Sequence, residues 1–160
     1  MLGRRSTGLA VALAVVLSVV VSAPIANAGS APQSVTIDTH KQLGPFTGTW
    51  TATGALSDGG SFASVAATFG ASGAPTFHTL HVVYRFTGTE GTFDIRADLQ
   101  EGPTAENPDI WYSEGTWSVV AGTGAYASLR GQGRVTGFVD QTDPNYQYAD
   151  RVYAGEAHLN

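Results

Sequence analysis

The chain has 160 residues, a formal net charge of −5 at pH 7 and no cysteine. The lack of cysteine excludes disulfide bonds, thiol catalysis and thiolate metal sites. The acidic balance repels phosphate backbones and anionic lipid surfaces, which argues against a nucleic-acid partner. A chain of this length fits one domain with a single core.

The N-terminus has the pattern of a cleaved export signal. Arg4 and Arg5 form a basic region, Leu9–Val21 is an apolar run that contains one polar residue, Ser18, and Ala26–Ala28 has the A-x-A form of a cleavage site. The apolar run is shorter than the roughly 20 residues that span a bilayer. The sequence therefore predicts a signal peptide over 1–28 and a secreted, extracellular protein without membrane attachment after processing. A retained N-terminal anchor is the alternative, and the arginine pair leaves the twin-arginine export route open beside the general secretory route.

The rest of the chain is typical of an all-β protein. Glycine and threonine are abundant, and no segment shows the i, i+3, i+4, i+7 apolar spacing of an amphipathic helix. A flexible leader and first strand are expected over 29–45, followed by a single barrel domain over 46–160. The predicted strands are Val35–His40, Phe46–Leu56, Phe62–Phe69, Phe77–Thr87, Thr92–Leu99, Ile110–Val120, Arg134–Val139 and Arg151–His158.

Several predicted strands alternate between an apolar and a polar face, as antiparallel strands do when one face is wet. Phe46–Leu56 places threonines on one face and Trp50 on the other, and Thr92–Leu99 alternates apolar with charged residues. Eight such strands favour a closed antiparallel barrel, whose lumen is filled by side chains or holds one small ligand. Glycines inside the strands favour this barrel over an open two-sheet sandwich, because sharp strand bends use glycine.

A glycine-rich block in the second half of the chain carries a family resemblance. The block is Gly115–Tyr126 (GTWSVVAGTGAY), continued by Leu129–Gly133 (LRGQG), and Gly48–Trp50, Gly54–Gly60 and Gly91–Asp94 fit the same pattern earlier in the chain. In these segments the chain resembles small bacterial barrels of unknown function in the allene oxide cyclase barrel-like and dirigent-like group. The resemblance implies an eight-stranded antiparallel, calycin-like barrel with a partly apolar cavity. No catalytic residue of the enzymes in that group matches a position here, so the resemblance implies no activity.

Motifs for catalysis and metal binding are weak. Gly122-x-Gly124-x-x-Ala127 has the form of a dinucleotide fingerprint, but glycines shortly after it leave no room for the long helix that this motif requires. His78 and His81 are three residues apart on a predicted strand and therefore on opposite faces, which disfavours a shared metal ion. No metal site and no cofactor are predicted, and the catalytic residues stay unknown.

The acidic side chains have ordinary solvent-exposed interpretations. Glu101, Glu106 and Asp109 fall in the longest predicted loop, and their spacing does not match a calcium-binding loop. Glu114 is expected on the wet face of its strand. A buried Glu114 with a raised pKa is the alternative.

The apolar strand faces hold the candidate ligand-binding residues. Large aromatic side chains beside alanine and glycine can leave a cavity in the barrel. The residues expected to contact a ligand are Trp50, His78, Tyr84, Trp111 and Trp117. These observations predict a small apolar molecule bound in the lumen. The alternatives are a cyclase or isomerase that confines an apolar substrate, and a structural or interaction protein with a filled barrel. A homo-oligomer stays open.

Overall fold

The structure, a computed structural model, describes residues 31–44, 46–71 and 77–160. The predicted signal peptide lies outside the described residues. The strands are β1 (Gln33–Gln42), β2 (Thr47–Gly54), β3 (Asp58–Ala71), β4 (His78–Thr87), β5 (Thr92–Pro103), β6 (Ile110–Gly122), β7 (Arg130–Asp140) and β8 (Tyr148–His158). One turn of 3₁₀ helix, Gly124–Tyr126, lies between β6 and β7.

The eight strands form a closed barrel. Each strand pairs antiparallel with the next one in the chain, and β1 pairs antiparallel with β8. The predicted all-β fold, an eight-stranded antiparallel barrel, is therefore confirmed. No helix within the described ranges is long and apolar enough to span a bilayer.

The two ends of the barrel are distinguished by the connections that they carry and by how far the strands extend. We call the end that carries the β1–β2, β3–β4, β5–β6 and β7–β8 connections the upper end, and the opposite one the lower end. At the upper end several strands are longer than predicted, and β5 continues to Pro103 through residues that were expected in a loop. β3 extends further toward the upper end than β2 does. Thr47, the first residue of β2, lies opposite Ala63, and β3 continues from there to Ala71.

Aromatic side chains fill the middle and lower parts of the lumen. Phe86 lies between Phe62 and Phe93 in a parallel stack, with ring centroids 5.1 and 5.0 Å apart. Trp50 packs edge-on against Phe86 and Phe93. Tyr153 is fully buried and meets Phe86 edge-on, with ring centroids 6.2 Å apart. These rings contact one another directly and form an aromatic cluster, around which aliphatic residues such as Ile37, Ile95 and Val135 complete the core.

A pair of glycines makes room for Trp117 in this core. Gly133 of β7 lies opposite Gly155 of β8, and a Cβ atom on either residue would collide with a carbonyl oxygen of the neighbouring strand. Trp117 of β6 lies opposite Gly133, and its indole Nε1 donates to the Ala154 carbonyl of β8 at 3.3 Å. The indole therefore reaches across β7 at the position where neither glycine has a side chain.

One carboxylate ties together the turns of the lower end. Asp58, at the start of β3, accepts hydrogen bonds from the Thr89 amide (2.9 Å), the Thr89 hydroxyl (3.0 Å) and the Gly59 amide (2.7 Å). It also accepts a short hydrogen bond from the hydroxyl of Tyr126, whose buried ring contacts Phe93. Tyr126 and Leu129 are both buried and close the lower end. The hydrogen bond from Tyr126 and those from Gly59 and Thr89 lower the pKa of Asp58, although partial burial opposes them.

We expect Asp58→Asn to lower the free energy of unfolding by about 1–3 kcal/mol at neutral pH, since hydrogen bonds to a charged acceptor are lost. The depressed pKa of Asp58 means that its contribution is complete above the ordinary pKa of an aspartate and disappears as the pH falls through the lower, folded value. Urea unfolding at neutral pH and below about pH 4 measures this, and the two proteins should converge in acid. The exposed Asp109→Asn is the control. A difference that persists unchanged in acid would contradict the assignment.

Candidate functional site

Three charged side chains are buried inside the upper end of the barrel. Lys41 of β1 is 6% exposed, and Glu101 of β5 and Arg151 of β8 are each 5% exposed. Each of them occupies an inward position, since side chains alternate along a strand. Lys41 continues the inward series of Ile37 and Thr39, for example. Charged side chains are almost never this buried unless they are paired, so the cluster requires an explanation.

Glu101 and Arg151 are paired at the centre of this cluster. Arg151 donates from one terminal nitrogen to Glu101 Oε1 at 2.5 Å and from Nε to Ser113 Oγ at 3.1 Å. Ser113 in turn donates to Glu101 Oε1 at 2.9 Å. The second carboxylate oxygen of Glu101 lies 3.1 Å from His78 Nε2. Both oxygens of Glu101 are therefore used within the protein.

The pairing keeps Glu101 and Arg151 ionised. Burial disfavours the carboxylate, but the Arg151 cation and the hydrogen bonds from Ser113, Arg151 and His78 hold the pKa of Glu101 below its ordinary value. The pKa of Arg151 is raised, because Tyr84 and Glu101 outweigh the effect of burial. The pair therefore contributes no net charge to the upper lumen.

Lys41 has no comparable partner. Its ammonium lies 5.4 Å from the ring centroids of Tyr84 and Phe46, and among the described residues it forms no ion pair and donates no hydrogen bond. Burial, together with the nearby Arg151 cation, lowers the pKa of Lys41 to about 8, and Glu101 opposes this only in part. Burial also raises the pKa of Tyr84, whose hydroxyl lies 3.4 Å from Arg151. The upper lumen therefore carries one cation in excess.

Large apolar side chains lie at the rim above the charged cluster. Phe46 and Phe69 are 57% and 63% exposed. Phe69 meets the His78 ring edge-on at 5.7 Å, and His78 lies 5.0 Å from the ring of Trp111. We call the exposed Phe46 and Phe69 together with the half-buried Trp111 the aromatic rim. The upper end thus combines exposed apolar surface with buried charge, as the binding site of an amphipathic molecule does.

The five residues predicted to contact a ligand fall into two groups. His78, Tyr84 and Trp111 belong to the upper end: His78 contacts Glu101, Tyr84 contacts Arg151, and Trp111 forms part of the rim. Trp50 and Trp117 are 2% and 3% exposed and lie within the packed aromatic core. The structure therefore brings three of the five together at one place and leaves the two other tryptophans away from it.

The charged residues of the cluster were not predicted as site residues. The sequence does contain a pattern that indicates their inward positions, because Lys41, Glu101 and Arg151 each continue the apolar alternation of a strand. The predicted strands ended at His40 and Leu99, however, so the alternation was not carried to Lys41 and Glu101. The predicted strand Arg151–His158 includes Arg151, but Arg151 was not identified as an inward-facing residue.

The other candidate groups lie on the outer wall of the barrel. His81 pairs with Asp98 at 2.6 Å, on the opposite side of β4 from His78. Glu114 is exposed. Within the ranges that the structure describes, no group of three or more histidine, aspartate or glutamate side chains is arranged to hold a metal ion.

A shallow hollow of about 520 Å³ also lies on the outer wall, lined in part by Thr49, Tyr112 and Phe138. At its edge His40 pairs with Asp150 at 2.6 Å, so these polar groups already satisfy each other. Arg151, which also lines this hollow, is a buried cation, but it is already paired with Glu101.

Comparison with protein-family models, with curated proteins and with solved structures found no match to this chain. The geometry of the upper end is therefore the basis for inferring a function.

Proposed function

We propose that the chain is a secreted protein that binds a small, largely apolar molecule at the upper end of its barrel. The observation that carries the proposal is the exposed aromatic rim above a buried charged cluster. Apolar surface at the rim would bind the body of the ligand, and the polar groups below would fix its orientation. The packed aromatic core favours the upper end over the middle of the lumen as the binding site.

Secretion is part of the proposal because of the sequence of residues 1–28, which has the three regions of an export signal. We also propose a relation to the allene oxide cyclase barrel-like and dirigent-like group, on the basis of the Gly115–Tyr126 motif. The closed eight-stranded barrel supports that relation at the level of fold. A fold shared by proteins of different function does not imply an activity.

Titration with 1-octanol, followed by NMR of the backbone amides and indole groups, tests the binding site. We expect the signals of His78 and Trp111 to shift, and those of the buried Trp50 and Trp117 to stay in place. Shifts confined to the outer-wall hollow, or no shift at all, would overturn the proposal.

Phe69→Ala and Phe138→Ala form a matched pair for the same titration, because both phenylalanines are more than half exposed. We expect Phe69→Ala to weaken 1-octanol binding by roughly tenfold, the value of one aromatic contact surface. Phe138→Ala, on the outer wall, should leave the affinity unchanged. Equal effects of the two substitutions would argue against a site at the rim.

An enzyme that confines an apolar substrate is the second candidate. The observation in its favour is the set of ionisable groups inside the barrel, where His78 and Tyr84 accompany the Glu101–Arg151 pair. Groups of this kind can donate or accept a proton next to a bound molecule. Recovery of a bound compound in chemically altered form would favour this candidate over simple binding.

A further inference from the structure

The buried charges of the upper lumen restrict the chemistry of the ligand. We propose that the ligand carries a single anionic group, of which a carboxylate is the simplest example, and that this group pairs with the Lys41 ammonium. The inference rests on the proposed function, since it concerns the ligand of the same site. It goes further by specifying the charge of that ligand.

The positive charge of Lys41 is not balanced by a carboxylate. Glu101 is the buried carboxylate of the cluster, and its two oxygens are occupied by Arg151, Ser113 and His78. Lys41 is left with the faces of two aromatic rings. Cation–π contacts compensate only part of the cost of removing an ammonium from water. One negative charge close to Lys41 would make the cluster neutral.

The Lys41 ammonium also lies close to the rim. Every fully buried side-chain nitrogen or oxygen in the described part of the chain has a hydrogen-bond partner. The Lys41 ammonium donates no hydrogen bond there, so it is not among the fully buried polar atoms and lies at the edge of the cluster. Phe46, whose ring contacts that ammonium, is also a member of the exposed rim. An anionic group on Lys41 would therefore leave the apolar remainder of the ligand against the rim.

Octanoate and 1-octanol provide matched probes, because they share one alkyl chain and differ in the charge of the head group. We expect octanoate to bind roughly 10- to 100-fold more tightly than 1-octanol, the range for a hydrogen bond to a charged group. Isothermal titration calorimetry gives the two affinities, and the indole signal of Trp111 in NMR spectra shows whether each probe is at the upper end.

Lys41→Met keeps the length of the side chain and removes its charge. In this variant we expect octanoate and 1-octanol to bind with equal affinity. The exposed Arg134→Met, which also removes one positive charge, should retain the wild-type preference for octanoate. Because Lys41→Met removes a buried charge that lacks an anionic partner, we expect it to fold at least as stably as the wild type.

The outcomes separate the inference from the proposed function. If both probes bind at the rim with equal affinity to the wild type, the proposed function stands and the inference is overturned. If neither probe binds there, both fail. A preference for octanoate that survives in Lys41→Met also overturns the inference. If Lys41→Met does not fold, the ratio of the two wild-type affinities decides the question alone.

Discussion

Glu101→Gln should lower the free energy of unfolding by about 3–5 kcal/mol, the usual cost of removing one partner of a buried ion pair. The substitution keeps the size of the side chain but removes the negative charge. Arg151 and Lys41 would then lie inside the barrel with no anion among the described residues of the cluster. Urea unfolding of the two proteins at neutral pH measures the difference.

Glu106→Gln is the control for this experiment, because Glu106 is exposed near Glu101 in the chain. Its stability should equal that of the wild type. Adding Arg151→Met to Glu101→Gln should recover part of the loss, since the double variant no longer contains the orphaned guanidinium. A loss below about 1 kcal/mol for Glu101→Gln would show that water already reaches the pair.

Phe86→Ala should cost about 3–5 kcal/mol, as truncation of a buried phenylalanine usually does. Phe86 is fully buried and contacts Phe62, Phe93, Trp50 and Tyr153, so these rings would surround the space left behind. Thermal or urea unfolding measures the loss. A dry apolar cavity of this kind takes up benzene, so benzene should raise the stability of the variant and leave the wild type unchanged.

Phe138→Ala serves as the comparison, because Phe138 is 51% exposed on the outer wall. Its effect should stay within about 0.5 kcal/mol. If Phe86→Ala were equally mild, the middle of the lumen would have to be loosely packed. The proposed location of the ligand at the upper end would then lose one of its supports.

The fold could be predicted from the sequence because alternation is a local signal. In Thr92–Leu99, apolar and charged residues alternate, and β5 presents Phe93, Ile95, Ala97 and Leu99 to the core. The burial of Tyr126 and Leu129 at the lower end also depends on local sequence, since glycines flank these residues and restrict the helix to a single turn. These features depend on neighbours in the chain.

The site was harder to predict because it depends on contacts between distant strands. Glu101 and Arg151 are 50 residues apart, and no local spacing indicates that they meet. A glutamate after a run of polar residues reads as part of a loop until the strand is extended to Pro103. Whether Trp50 contacts a ligand or another ring likewise depends on the register between neighbouring strands, which the sequence does not specify. Inward-facing charge at the end of an apolar alternation is the pattern to seek in related barrels.

The pairing of β1 with β8 affects the order in which the barrel can fold. Thr39 donates to the Arg151 carbonyl at 3.0 Å, across 112 residues of chain. Such distant contacts raise the contact order, and chains rich in them fold slowly because long loops must close before the contacts form. Because a chain is synthesised from its N-terminus, the barrel cannot close until β8 has been synthesised. Until then β1 and the last completed strand are open edges, which are prone to pair with other chains.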